Sequence, residues 1–330
     1  MQLSSPVRFG FLGAGGIARS ALAPAVHRAE GAVLQSAAAR DAGRAAALEP
    51  RGRAYDRYEA LIADPDVDVV YISLSNEGHR PWTLAALAAG KHVLCEKPLG
   101  LDAAEVEEMT RAAETAGRLL VEAFWYRWHP RTRRLEELLA GGGLGEVREV
   151  ETEFSFDGQD GLTGNFRLDP TRGGGALYDV GCYAISAALL ALREPVTVEA
   201  ASVQLGPTGV DIAASAVLLE GGGARADVAC GIQIHNRQQI RYTGDAAIAE
   251  FGPGDAFANR DKPSTLRIVE QSPAGPGDAM VEEFPPVDPY QLMVEATAAA
   301  VRGDDSFLVG LDHSARIAAI ADAIRARASD

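Results

Sequence analysis

Short apolar runs alternate with amphipathic stretches over the first third of the chain. Segments 7–12 and 33–39 read as strands, with helical spacing over 17–27 between them. The strand pattern returns at 67–74, 92–95 and 119–122, interleaved with helices over 80–89 and over 103–116, which Asp102 is placed to cap. Parallel strands need long crossovers, usually helical, so this alternation predicts a doubly wound parallel sheet. After Trp125 the texture changes. A helix over 131–139 is broken by Gly141, Gly142 and Gly143, and strand-like segments follow at 147–156, 196–205, 212–219, 224–234 and 238–243. Gly221 to Gly223 lie between two of them as a hairpin turn would. Asp288 and Pro289 suit the N-cap and first turn of a helix to Arg302, and Asp312 is placed to cap a last one with Ile317, Ile320 and Ile324 on one face. The pattern predicts two α/β domains: 1–124 around the parallel sheet, and 125–330 around a large, mainly antiparallel one.

Composition removes several classes of function. With 330 residues, 47% of them hydrophobic, the chain can bury two cores, and 31 basic against 46 acidic residues leave a formal charge of −15. Such a surface repels nucleic acid and anionic membrane, so neither partner is expected. Cys95, Cys182 and Cys230 are odd in number and set among apolar or small residues, which suits free thiols in a reducing compartment. No window approaches the ~18 continuous apolar residues of a membrane span, and nothing at the N-terminus resembles a leader, so a cytoplasmic location is expected. The six histidines are scattered, and no metal site is expected.

The candidate chemistry starts at the turn after the first strand. Gly13-Ala14-Gly15-Gly16-Ile17-Ala18 has the pattern G-x-G-x-x-A between a strand and a helix. Gly13 permits a tight turn, Gly15 lets the backbone approach a pyrophosphate, and Ala18 allows close helix packing, so the turn predicts a dinucleotide site. At the end of the second strand stands Arg40, which suits the 2′-phosphate of NADP; Asp41 follows and could instead reach the ribose of NAD. Lys97, before Pro98, is biased toward an extended backbone at the mouth of a strand, where ligands lie in such sheets. In the segment Gly173 to Tyr183, three glycines precede Asp179 and Tyr183, which share one face of a helix. The segment reads as a substrate floor beside two acid-base groups, or as a turn with a capping Asp and a core Tyr. A phenol becomes a useful acid-base group when a cation stabilises the phenolate. Lys97 could be that cation.

Together the glycine turn, Glu96-Lys97-Pro98, the segment Glu122 to Pro130 and the segment Gly173 to Tyr183 resemble the glucose-fructose oxidoreductase/inositol dehydrogenase (Gfo/Idh/MocA) family over nearly the whole chain. The resemblance implies an N-terminal Rossmann domain and a C-terminal α/β domain whose large sheet has an open face used for assembly into homodimers or homotetramers. It implies reversible hydride transfer between NADP, or NAD, and a carbohydrate or cyclic alcohol. It also implies that Asn76 and Glu96 lie near the nicotinamide ribose and that Lys97 contacts the reacting oxygen. Many members carry His where this chain has Tyr183. The Tyr form resembles the branch of dihydrodiol dehydrogenases, NADP-dependent sugar dehydrogenases and sugar ketoreductases. On this reading Tyr183 protonates the developing alkoxide during reduction while Lys97 stabilises its charge. An NAD-retaining glycosidase-like activity and a non-catalytic dinucleotide sensor are the alternatives.

Further candidates are weaker. Asn165, Arg167 and Asp179 could bind substrate hydroxyls, although Arg167 could equally pair with Asp169 in a solvated loop. Arg127 is a candidate for substrate, and His79 and Trp125 for the border of the cofactor, unless Trp125 and Trp128 only pack the domain junction. Arg131, Arg133 and Arg134 read as a solvated helix face.

Overall fold

The alternation of the first third resolves into β1 (Val7–Leu12), β2 (Ala32–Ala38), β3 (Ala54–Tyr55), β4 (Val69–Ile72), β5 (His92–Cys95) and β6 (Leu120–Glu122). In the computed structural model, which describes residues 5–158, 161–252, 254–272 and 275–328, they pair in parallel in the order β3-β2-β1-β4-β5-β6. Strands covered on both faces need apolar side chains at every position. The four residues of β4, Val-Val-Tyr-Ile, are all buried. The order reverses between β1 and β4, which opens a crevice at the C-terminal ends of the strands. Asp102 caps the helix Ala103–Ala116 by accepting the Glu105 N–H at 2.8 Å. Two helices of five residues, Ala42–Ala46 and Tyr58–Ile62, are too short to leave a periodic pattern in the sequence.

By its contacts the chain forms two units. The first is the chain up to Trp128 together with Asp288–Ala315, and the second is His129–Val287 with the chain from Arg316 onward. The sequence placed 288–315 with the C-terminal half. Asp288 does cap the helix Pro289–Arg302, accepting the Tyr290 N–H at 3.0 Å, and it also pairs with Arg28. Tyr290 stacks on Trp125 with ring centroids 4.6 Å apart. A division into two consecutive segments therefore omits a returning piece of the first unit.

The second unit contains β7 (Val147–Asp157), β8 (Val196–Leu205), β9 (Asp211–Glu220), β10 (Arg225–Gly231), β11 (Gln233–Gly244), β12 (Ala247–Phe251), β13 (Ser264–Ser272) and β14 (Gly275–Phe284). They form one sheet in the order β14-β13-β12-β11-β7-β10-β9-β8. Every pairing is antiparallel except β10 with β7. The sequence segment 224–234 is in fact interrupted: β10 ends at Gly231 and β11 begins at Gln233, on the opposite side of β7. The last three strands were not expected; β14 has no buried residue, so no apolar alternation marks it, whereas β12 and β13 do alternate and were missed despite it. The helix Cys182–Ala188, buried at every residue, covers one face of the sheet. Thr152 of β7 and Tyr242 of β11 donate to its Ala184 and Ala187 carbonyls at 3.0 and 2.6 Å.

Arg131 corrects the expectation of a solvated basic face. It is 2% exposed, lies 4.2 Å over the ring of Phe251, and donates to the Asp255 carboxylate and to the Asp255 and Ala256 carbonyls. A buried guanidinium is tolerable when its terminal nitrogens are met this way and an aromatic face covers it, although the Arg131 Nε has no hydrogen-bond partner among the described residues. Beside it, burial pushes the His129 pKa down to about 4, with Arg131 adding to the effect. Among the described residues no helix is long and apolar enough to cross a membrane.

Gly13 is fixed by the sheet itself. Its φ is +100°, and a Cβ there would lie 2.4 Å from the carbonyl oxygen of Ser73, just past β4. Gly13→Ala should therefore cost about 1–3 kcal/mol, read as a lower melting temperature; an unchanged melt would contradict this account of the turn.

Candidate active site

The glycine turn divides into two parts. Gly13 is held by protein atoms, whereas a Cβ at Gly15 would come no closer than 4.0 Å to any of them and one at Gly16 would meet nothing within 4 Å. That space borders the start of a helix over 16–28, where backbone N–H groups favour an anion. Ile17 stands in its first turn, and the fully buried Ala18 sets it close to the sheet. Arg40 is exposed just beyond β2. The Asp41 carboxylate accepts the Gly43 N–H at 2.7 Å and so caps the helix Ala42–Ala46. Arg44, on that helix, reaches back to the Ala14 carbonyl in the glycine turn at 3.0 Å. Arg40 and Arg44 both act on the phenol of Tyr58, lowering a pKa that burial raises. Two guanidiniums thus border one corner. The sequence marked Arg40 and missed Arg44, whose signal was a basic residue in the first turn after a capping Asp.

The ends of β4, β5 and β6 carry the next group. Asn76 is buried and opens the short turn Asn76–Gly78. His79 is fully buried, its Nδ1 2.7 Å from the Pro98 carbonyl and its Nε2 3.3 Å from the Leu74 carbonyl. Burial pushes its pKa down, so the neutral ring donates to the closer oxygen. Glu96 is buried and accepts the Tyr71 hydroxyl at 2.7 Å; burial and the Glu96 charge push that phenol well up. Lys97 is half-buried, and its bond to Pro98 is cis. Trp125 is buried and stacks on Tyr290, and Arg127 is buried with its guanidinium 5.7 Å from the Phe307 ring centre. Glu122, absent from the sequence candidates, is 2% exposed and accepts the Leu99 N–H at 2.7 Å.

In the second unit the structure gathers Asn165, Arg167 and Asp179. The Arg167 Nε donates to the Asp179 carboxylate at 2.6 Å, and its Nη1 lies 3.5 Å from the Asn165 side-chain oxygen. Arg167 is thus not the solvated partner of Asp169, whose carboxylate binds the Thr171 N–H and hydroxyl at 2.9 and 2.7 Å. Asp179 is not a helix cap either: it sits within the π-helical turn Leu177–Gly181, one turn before Tyr183. The buried Tyr183 ring meets Phe154 and Phe257 edge-on, at 5.5 and 5.9 Å between centroids.

The glycines before this helix are not an open floor. A Cβ at Gly174 would lie 2.6 to 2.8 Å from the carbonyl oxygens of Arg167, Asp169 and Phe166, and one at Gly175 would lie 2.1 Å from the Asp211 carboxylate. The Gly174 and Gly175 N–H groups donate to the Asp169 and Arg167 carbonyls, which fixes the loop carrying Arg167. The group that meets the helix N-terminus is Asp211 of β9, which accepts the Leu177 N–H at 2.6 Å. Burial pushes the Asp211 carboxyl up, while these backbone N–H groups oppose the shift.

The first unit thus offers a glycine turn with open space at a helix start, two guanidiniums at one corner and a lysine at the sheet mouth. The second offers a rigid tyrosine and an oriented carboxylate. Proton transfer and charge stabilisation at an oxygen lie within the chemistry of these groups.

The chain belongs to the Gfo/Idh/MocA family. Residues 7–124 match the model described as oxidoreductase family, NAD-binding Rossmann fold, and residues 132–250 match the family's C-terminal domain. It is an oxidoreductase by that membership. It is 40% identical over 319 residues to D-xylose 1-dehydrogenase (NADP(+)) 2 of Haloferax volcanii, covering 96% of this chain and 95% of that one. It is 34% identical over 257 residues to the trans-1,2-dihydrobenzene-1,2-diol dehydrogenase of Mus musculus, covering 74% of each. A 3-ketoreductase of Actinomadura kijaniata, solved with NADP and TDP-benzene, matches with a TM-score of 0.88 at 28% identity, covering 98% of both chains. Variants of that enzyme with a tyrosine changed to phenylalanine and a lysine changed to alanine match with TM-scores of 0.88 and 0.85.

Asp211→Ala would leave the Leu177 N–H without its acceptor. The expected loss is about 1–3 kcal/mol of stability, with faster amide exchange over the helix bearing Tyr183; unchanged exchange there would refute the anchoring role.

Proposed function

We propose that this chain transfers a hydride between NADP(H) and a sugar or cyclic secondary alcohol and its ketone, with Lys97 and Tyr183 serving the reacting oxygen. The observation that carries the cofactor choice is Arg44 at 3.0 Å from the glycine-turn carbonyl of Ala14, with Asp41 occupied as a helix cap. That corner suits a 2′-phosphate, and the capping role of Asp41 turns one of its carboxylate oxygens away from a ribose diol. The relatives support the substrate class: one acts on D-xylose with NADP(+), another on a cyclic diol, and a structural neighbour is a ketoreductase solved with NADP.

Gly13, Gly15, Gly16 and the helix that follows would hold the pyrophosphate, Arg40 and Arg44 the 2′-phosphate, and Asn76 and Glu96 the nicotinamide ribose. When bound, the nicotinamide supplies or accepts the hydride. The Lys97 ammonium donates to the substrate oxygen and stabilises its negative charge. The Tyr183 hydroxyl gives its proton to that oxygen in reduction and takes one back in oxidation. Phe154 and Phe257 hold the tyrosine ring in one orientation and keep water from its faces. Arg167 orients Asp179, and the two of them, with Asn165 beside them, would bind a neighbouring substrate hydroxyl.

A spectrophotometric screen of NADP and NAD against aldoses, cyclitols, dihydrodiols and nucleotide-linked ketosugars should find turnover with NADP. With that substrate, Lys97→Met and Tyr183→Phe should each lower kcat by ~100-fold or more while NADP still binds, since a positioned acid contributes ~10² to 10⁴. Near-normal turnover in both variants would sink the mechanism. Separately, Arg44→Ala should weaken NADP binding by about 10- to 100-fold, the size of a lost charge-assisted hydrogen bond, and leave NAD binding nearly unchanged. Equal losses for both cofactors would remove Arg44 from the 2′-phosphate corner.

A further inference from the structure

Glu122 ends β6 as a carboxyl group that the mechanism above does not use. Its Oε1 accepts the Leu99 N–H at 2.7 Å, and its Oε2 is buried without a hydrogen-bond partner among the described residues. An uncompensated buried acceptor is costly, and an ionised one more so. Holding one backbone N–H would need only a neutral amide. The carboxyl also stands at a particular place: Glu122 is the register partner of Cys95, so it flanks the end of β5, where Glu96 and Lys97 follow. Ser314, near the start of the last helix, approaches it from another element. That hydroxyl lowers the carboxyl pKa by its approach, although the contact falls short of a full hydrogen bond. The charged groups acting on Glu122 are Lys97, which favours the anion, and Glu96, which opposes it; the buried Cys95 thiol is pushed up by burial and by both carboxylates.

We propose that Glu122 is a positioning residue for Lys97: as the anion it braces the loop through Leu99 and holds the Lys97 side chain in place by charge attraction, and as the neutral acid it releases that hold. The proposal rests on Lys97 serving the reacting oxygen. Burial pushes the carboxyl from 4.5 up to about 7, against the lowering pull of Ser314, the Leu99 N–H and Lys97. The switch therefore falls in the neutral range. The folded chain then binds this proton more tightly than the unfolded chain. The stability it contributes is full below pH 4.5 and is lost as pH rises to about 7.

Infrared titration of the full-length protein tests the coupling without any turnover. The carbonyl band of a buried neutral carboxyl, assigned by its loss in Glu122→Gln, should disappear as pH passes about 7. Lys97→Met should move that titration upward by about one pH unit or more, as expected for removal of a neighbouring opposite charge. In kinetics, kcat/KM of the unmodified enzyme should rise with pH across the same range. Glu122→Gln should lose that limb and stay at the low-pH level with unchanged NADP affinity, and Glu122→Asp should keep a limb. A band that titrates in the ordinary carboxylate range, a band unmoved by Lys97→Met, or a limb that survives in Glu122→Gln would each overturn the proposal. Should Glu122→Gln not fold, the displacement of the band in Glu122→Asp assigns it, and its shift on Lys97→Met then decides. Normal turnover in Lys97→Met with a shifted band would instead reject the role of Lys97 in catalysis and leave the coupling standing.

Discussion

The imidazole of His79 lies fully buried between the carbonyls of Pro98 and Leu74, and the mouth of the parallel sheet depends on it. β4 and β5 end side by side, and the loops that follow carry Asn76 on one and Glu96 and Lys97 on the other. Proline supplies no N–H, so the loop after Lys97 cannot tie itself to its neighbour there through the usual backbone donor. The Pro98 carbonyl, turned inward, needs a donor of its own, because a buried acceptor left unmet costs ~1–3 kcal/mol. A neutral histidine meets that need. His79 is thus one step removed from the ligand position that its place in the sequence suggested.

The second unit uses the same device with the polarity reversed. There the groups to be met are N–H donors at a helix start, and the partner is the Asp211 carboxylate from β9. The approach is so close that position 175 must lack a Cβ, as must position 174 beside three carbonyl oxygens. Gly174 and Gly175, two of the three glycines that suggested room for a substrate, are therefore required by the protein's own packing. What they free is the placement of Arg167 against Asp179 and of Tyr183 against two phenylalanine rings. In both units a distant polar side chain satisfies the backbone near candidate residues, which keeps those residues in one orientation.

Glu122 belongs to the same region but is left incompletely satisfied, with one oxygen bonded and the other not. On the proposal above, this imbalance ties the charge beside the Lys97 loop to solvent pH. His129 illustrates the contrast. It is pushed down by burial and a neighbouring guanidinium, yet it is braced by Asn259 and by the Arg131 N–H, which fits a structural role.

The sequence by itself determined the elements whose forces are local. The parallel strands are readable because burial on both faces demands unbroken apolar runs, and the caps at Asp102 and Asp288 because a side-chain acceptor meets an N–H within three residues. The glycine turn is readable for the same reason, since its positive φ is a property of the residue itself. Tertiary structure decided what rests on distance along the chain. Arg131 and Arg133 are alike in sequence, but the former is buried against an aromatic face and acceptors more than a hundred residues away, whereas the latter stays partly exposed beside Glu136. The return of 288–315 to the first unit, the anchoring by Asp211 and the burial of Glu122 and His79 share that cause. Each is a polar or aromatic group whose partner is brought to it by the fold, and no local periodicity records such a meeting.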